Sequence, residues 1–309
     1  MKKIHLDPSK PICATHFPSL GRREEFSNNI AMFTEDVWNG VMPIRPWTDK
    51  HKNLRVDLEG DRVACETAIR LLNGIDKYAR QDSTRAVCGA VEQVAKSLSR
   101  EGSAAYEILC TREEGKRLSE FTTRRLWKST KHFFQIVPRK EWKTIDRKII
   151  TVPTDRVWYI EMPIALGGRR RYRNILRQLV KNEITGPDFW RKGLERGMQS
   201  RIFDYESYRL DIDICCWKAT NRWGWNRRDW EQERTTEFFV FYRMISRTLA
   251  QAILREHIVN ALNELFVRLG VLCNVCVDGL PTIGTIKRVR SEMVEGKISF
   301  NDVADQVML

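Results

Sequence analysis

The stretch EFFVFYRMISRTLAQAILREHIVNALNELFVRL, residues 237–269, keeps one period from end to end. Phe238, Phe241, Tyr242, Ile245, Leu249, Ala252, Ile253, Leu262, Leu265, Phe266 and Leu269 recur at three- and four-residue spacing, which predicts a single amphipathic helix. Thr235 or Thr236 is placed to cap its start, and Gly270 its end. At about 1.5 Å per residue such a helix is on the order of 50 Å long. That is more than a compact domain of this size needs, so copies of the same chain are expected to cover its apolar stripe.

Just before it lies WKATNRWGWNRRDWEQER (217–234), with four tryptophans among four arginines and a lysine. Asn221 and Gly224 predict a loop or hairpin. Aromatics interleaved with arginines stack on exposed bases or anchor protein contacts. With a self-packing helix starting at once, the subunit contact is preferred, carried by Trp217, Trp223, Trp225, Arg227, Arg228 and Trp230. Further back, a helix is expected around 188–201. SYRLDIDICCW (207–217) then alternates Leu210, Ile212 and Ile214 with Asp211 and Asp213, as a strand does. Residues two apart on a strand share a face, so these carboxylates are a candidate Mg²⁺ pair, with Glu231 or Glu233 as a third ligand. The same alternation also marks a strand that is wet on one side.

Next outward is LGGRRRYRNILRQLV (166–180). Gly167-Gly168 breaks the preceding run, and Tyr172, Ile175, Leu176, Leu179 and Val180 share a helical stripe. Arg169, Arg170, Arg173, Arg177 and Lys181 fall largely on the other side, with Arg171 beside them. This predicts a helix docked by its stripe and cationic outside, a surface suited to nucleic acid. HFFQIVP (132–138), KIITVP (148–153) and RVWYIEMP (156–163) precede it as β-like runs. The short 153–155 link predicts a hairpin between the last two.

Residues 61–79 and 84–100 carry helical periods, the second stopped by Glu101-Gly102, and AAYEIL (104–109) reads as a strand. Residues 1–56, punctuated by five prolines, read as an extended arm with one short helix near 23–40, the kind that lies on another surface or a neighbouring subunit. Beyond the long helix come a turn at 278–281, a helix near 284–295, and Ser299-x-x-Asp302 as a capping box for a last helix.

Composition sets the outer bounds. The chain has 309 residues, 42% hydrophobic, which is enough to build a core. No run of 18 apolar residues and no signal-peptide pattern occurs, so a soluble protein made in a cytoplasm, with no membrane partner, is expected. Eight scattered cysteines read as reduced thiols. One CxxC, Cys273 to Cys276, sits in a run that looks like a buried strand and lacks a second ligand pair for zinc. The net charge of +13 is localised: residues 112–181 hold 19 Lys and Arg against 7 Asp and Glu. A patch of this kind attracts polyanions. No phosphate-loop, dinucleotide, zinc-protease or serine-hydrolase motif occurs, so no catalytic residue and no cofactor is assigned. Glu141-Trp-Lys143 resembles the end of a restriction-type nuclease motif, without an upstream Asp to complete it.

The order of elements resembles that of tailed-bacteriophage portal proteins. The helix running into EGSAAYEIL (101–109) resembles their helix–Gly–strand element. FFQIVPRKEW (133–142) and VWYIEMP (157–163) resemble the sheet that follows. LGGRRRYRNIL (166–176) resembles the helix entering the stem; ILREHIVNALNEL (253–265), GLPT (279–282) and EGKISFNDV (295–303) resemble the end of the core. The fold class is therefore α+β: helices plus a small antiparallel or mixed sheet, with a long helix at 237–269. Four segments follow: an N-terminal arm (1–56), a wing-like α/β domain with the basic helix (57–182), a stem- and clip-like segment (183–236), and the long helix with a helical tail (237–309). The resemblance implies a non-enzymatic, dodecameric ring in the virion, assembled in the host cytoplasm, through which double-stranded DNA is packaged and ejected. Its implied partners are further copies of itself, the capsid, an adaptor or connector, and the terminase. Arg169, Arg170, Arg171, Arg173, Arg177 and Lys181 are its candidate nucleic-acid contacts. The alternatives are a Mg²⁺-dependent nuclease using Asp211 and Asp213, or a plain nucleic-acid-binding module.

Overall fold

The computed structural model describes residues 7–21, 27–42, 54–76, 78, 80–111, 115–184, 205–225 and 236–307. In chain order the first elements are α1 (Asn28–Trp38), β1 (Arg55–Gly60), α2 (Arg62–Asp76), α3 (Ser83–Glu101), β2 (Ser103–Thr111) and β3 (Gly115–Glu120). Then come β4 (Leu126–Lys128), β5 (His132–Ile136), α4 (Trp142–Ile145), β6 (Ile149–Pro153), β7 (Val157–Glu161) and α5 (Gly168–Ile184). The last are α6 (Tyr205–Thr220), α7 (Glu237–Leu269), β8 (Cys273–Asp278), α8 (Ile283–Val294) and α9 (Phe300–Val307). This is an α+β chain, with three small antiparallel sheets among the described residues, ordered β1-β8, β3-β2-β7 and β4-β5-β6.

The periodic stretch at 237–269 forms one unbroken helix with the bounds its pattern gives. The Thr236 hydroxyl accepts from the Phe239 amide, and Gly270 closes the far end at a left-handed φ of 72°. The expectation that sister chains must cover its stripe is corrected for most of its length. Ile245, Leu249, Ala252, Leu262, Leu265 and Phe266 are buried within one chain, while Phe238 stays 40% exposed and Phe241 and Tyr242 half-buried. The chain divides into two compact units, and α7 gives residues through Leu254 to one and residues from Arg255 onward to the other. The units cut across the segments drawn from sequence at 57, 183 and 237.

One unit comprises Met1–Gly21, Ile44–Glu161 and Arg255–Leu280. Leu71, Leu72 and Ile75 of α2 and Val87, Val91, Val94 and Leu98 of α3 are fully buried, and both helices pack against strands of this unit. The approach is close: a Cβ at Gly74 would come within 2.8 Å of the Leu118 carbonyl on β3. Gly102 adopts φ 74° and turns α3 directly into β2. A second core gathers Phe133, Ile150 and Val152 from the β4-β5-β6 sheet with Ala105, Phe121, Val157 and the arm residues Cys13 and Phe17. Residues 7–21 of the arm therefore lie on this chain's own unit. Glu107 accepts from the Ile12 and Cys13 amides, and the Gln135 amide exchanges bonds with the backbone of Ala14.

The predicted hairpin between 148–153 and 156–163 does not form. β6 pairs with β5, whereas β7 pairs with β2 in a different sheet. The intervening Thr154–Arg156 is a single 3-10 turn that hands the chain from one sheet to the next. β3 and β4 carry no strand pattern in the sequence, whereas β1 alternates Val56 and Leu58 with charged residues, a period of two that is only five residues long and too short to single out a strand.

The other unit comprises Arg22–Pro43, Met162–Leu254 and Pro281–Leu309, and its described elements are helical. Ile245, Leu249 and Ala252 of α7 pack with Ile286, Val289 and Met293 of α8 and Val303 and Val307 of α9. α9 opens with the capping box read from sequence: Ser299 Oγ accepts from the Asp302 amide at 3.2 Å, and Asp302 Oδ2 accepts from the Ser299 amide at 3.3 Å.

Candidate nucleic-acid interface

α5 starts where the two glycines release the chain, Gly167 at φ 99° and Gly168 at φ 66°. Its stripe is used as expected, with Tyr172, Leu176 and Leu179 fully buried. Tyr172 packs 6.0 Å from Phe33 and 5.3 Å from Trp223, centroid to centroid. The outer face is cationic but narrower than the sequence suggests. Arg170, Arg171, Arg177 and Lys181 are exposed, whereas Arg169 and Arg173 are half-buried with their Nε atoms out of solvent. Four cations on one exposed helix face remain able to meet phosphates.

Trp223 and Trp225, expected at a subunit contact, are 2% and 3% exposed and belong to the core of the helical unit. Both meet Phe33 edge-on, at 5.9 and 5.2 Å. Trp225 Nε1 donates to Asp36 Oδ2 at 2.8 Å, and the Thr220 hydroxyl is shared between the carbonyls of Cys216 and Trp225. Their spacing gave no hint of this, because the partners on α1 and α5 are distant in sequence. Trp217 is half-buried, 5.7 Å from Phe239. Arg227, Arg228 and Trp230 lie outside the described residues, as do Glu231 and Glu233.

The Mg²⁺ pair dissolves. Residues 205–220 form helix α6, not a strand, so Asp211 and Asp213 point about 200° apart around its axis. Asp213 instead acts on Arg243, a side chain only 4% exposed. Burial pulls that guanidinium down to about 10 while Asp213 pushes it back up, and its head lies 5.6 Å over the Phe239 ring. Nothing in the period of α7 singled out Arg243. Among the described residues no group of three or more His, Cys, Asp or Glu is arranged to hold a metal.

Cys273 and Cys276 stand on β8, paired opposite Gly60 and Asp57, and three residues along a strand put them on opposite faces. Cys273 faces Cys65 at 3.8 Å, and burial and that neighbour push its thiol up to about 12. Glu141 is turned inward, accepting from the amide of Ser19 at 2.9 Å, which explains its place in the 141–143 tripeptide structurally. No described helix is long and apolar enough to cross a membrane.

No family model and no curated protein matches this chain. Among solved structures it is similar to a chain of the neck of an empty GTA particle computed with C6 symmetry. That likeness has a TM-score of 0.44 at 10% identity and covers 91% of this chain and 89% of that one.

Proposed function

We propose that this chain is a structural subunit of a tailed-phage-like particle, assembling as a closed ring of identical copies around the path of double-stranded DNA, as portal proteins do. The observation that carries this reading is the succession of elements. Helix α3, left-handed Gly102 and strand β2 follow one another without a gap, then come β5, β6 and β7, then the basic helix from Gly168, then α7 and the capped α9. That is the order in which the resemblance to portals arranges them. The length of α7 adds little support, since one chain buries most of its stripe. Capsid, adaptor and terminase are the partners this reading names, with the virion as its location.

Mass photometry and negative-stain electron microscopy of the purified chain test it. Closed rings, with twelve copies as the family's number, are the expected result. A monomer at micromolar concentration across a range of salt overturns the ring. A plain nucleic-acid-binding module acting through α5 is the second reading, favoured by the exposed Arg170, Arg171 and Arg177. A monomer that binds duplex DNA would leave it standing.

A further inference from the structure

The β4-β5-β6 sheet buries one face and opens the other. Phe133, Gln135, Ile150 and Val152 alternate inward. On the outer face Trp127, Phe134 and Thr151 pair across all three strands in one row, and Ile136 pairs with Ile149 in the next. At about 4.8 Å between strands, that first row is about 10 Å wide. Trp127 is 70% exposed and Ile149 55%. Phe134 is half-buried, with the His132 ring 6.1 Å from its own. An open tryptophan beside a phenylalanine on an exposed sheet face is the kind of apolar surface that marks an interaction site.

Charge says what kind of occupant fits. Between 121 and 153 eight Lys and Arg are exposed against one exposed acid, Asp146; the other carboxylate, Glu141, is turned inward. Arg125 stands just before β4, Lys131 in the turn into β5, and Arg147 just before β6. No ion pair engages these three among the described residues. A polyanion complements that rim. The rings then discriminate among polyanions, because a duplex hides the faces of its bases while a single strand offers them for stacking, each stack contributing about 1–3 kcal/mol.

We propose that this face binds single-stranded nucleic acid, with bases stacked on Trp127 and Phe134 and phosphates held by Arg125, Lys131 and Arg147. It is a separate surface from α5 and does not depend on the ring. The test is fluorescence anisotropy on the full chain, with a labelled oligothymidylate and a duplex of equal length. Wild type is expected to bind the single strand. Trp127→Ala should weaken that binding at least tenfold and duplex binding less than twofold. The double variant Lys131→Glu, Arg147→Glu should weaken it further and flatten its salt dependence. All three side chains are exposed, so an unchanged thermal midpoint is expected to accompany these losses. Unchanged single-strand affinity in Trp127→Ala overturns the proposal, as does an equal loss for duplex. So does a loss of self-association with nucleic-acid binding intact, which would make the face a subunit contact.

Discussion

Glu107 is 1% exposed and holds the arm to the sheet. Its Oε2 accepts from the amides of Ile12 at 2.8 Å and Cys13 at 3.2 Å, while Oε1 pairs with Arg156 at 3.1 Å. Removing it strands a guanidinium and two amides, and breaking a buried pair costs about 3–5 kcal/mol. Glu107→Ala should lose about that in urea unfolding and make residues 8–20 the first target of limited proteolysis. Glu107→Gln, which keeps an acceptor, should lose less; an uncleaved arm in the Ala variant would show that it is held elsewhere. The sequence run AAYEIL shows that Glu107 sits on a strand but not what reaches it, since its partners lie some fifty and ninety positions away. Gly224 is the opposite case, legible as a turn residue from the start. Its φ is 59°, and a Cβ there would sit 2.1 Å from the Arg243 carbonyl and 2.7 Å from the Arg247 amide. Backbone cannot step aside as a flexible side chain does, so Gly224→Ala should cost more than the left-handed penalty of about 1–2 kcal/mol. Gly270→Ala, at φ 72° with nothing within 4 Å, should cost only that penalty. Comparing their thermal midpoints checks this, and equal losses would refute the packing argument.

Elements are readable where one periodic pattern runs long enough to exclude the alternatives. α3, α5 and α7 each carry three or more turns of it; the bounds of α3 and α7 hold to within about one residue, while α5 runs on to Ile184, past the end of its pattern at Lys181. Pairing is not readable, because a short link between β6 and β7 suits a hairpin as well as a step between sheets, and only the partners β5 and β2 decide. α6 differs from its strand-like reading for a related reason: Leu-Asp-Ile-Asp-Ile alternates over five residues, too short a stretch to tell a strand from a helix with a mixed face. The helical assignment has a consequence that the strand did not. On a strand Asp211 and Asp213 would be equivalent, whereas on α6 only Asp213 acts on the buried Arg243. Asp213→Asn should therefore destabilise the chain by about 1–3 kcal/mol, the usual consequence of leaving a buried charge short of its partner. Asp211→Asn should be within about 0.5 kcal/mol of wild type. Chemical denaturation of the two single variants decides it, and matched effects would return the pair to one face.

At the scale of the whole molecule, charge is the most legible property and its arrangement the least. The surplus in 112–181 is real in composition, but the fold divides it between the outer face of α5 and the rim of the β4-β5-β6 sheet, and withdraws Arg169 and Arg173 from solvent. The tryptophans show the same limit: four in fourteen residues look like one surface, yet Trp223 and Trp225 close a core with Phe33 and Tyr172. What a patch does as a whole is measured by salt. Each phosphate neutralised on duplex DNA releases counterions and contributes about 0.9 to the slope of log affinity against log salt concentration. If α5 is the duplex-binding helix, replacing Arg170, Arg171 and Arg177 with Ala should lower that slope by about 0.9 for each phosphate no longer neutralised, and weaken binding alike for unrelated sequences. Replacing Arg169 and Arg173 should change the slope less and stability more, because these side chains are half-buried. Affinity measured from about 50 to 200 mM salt separates the two sets, and a slope untouched by the exposed triple variant would remove α5 from the interface.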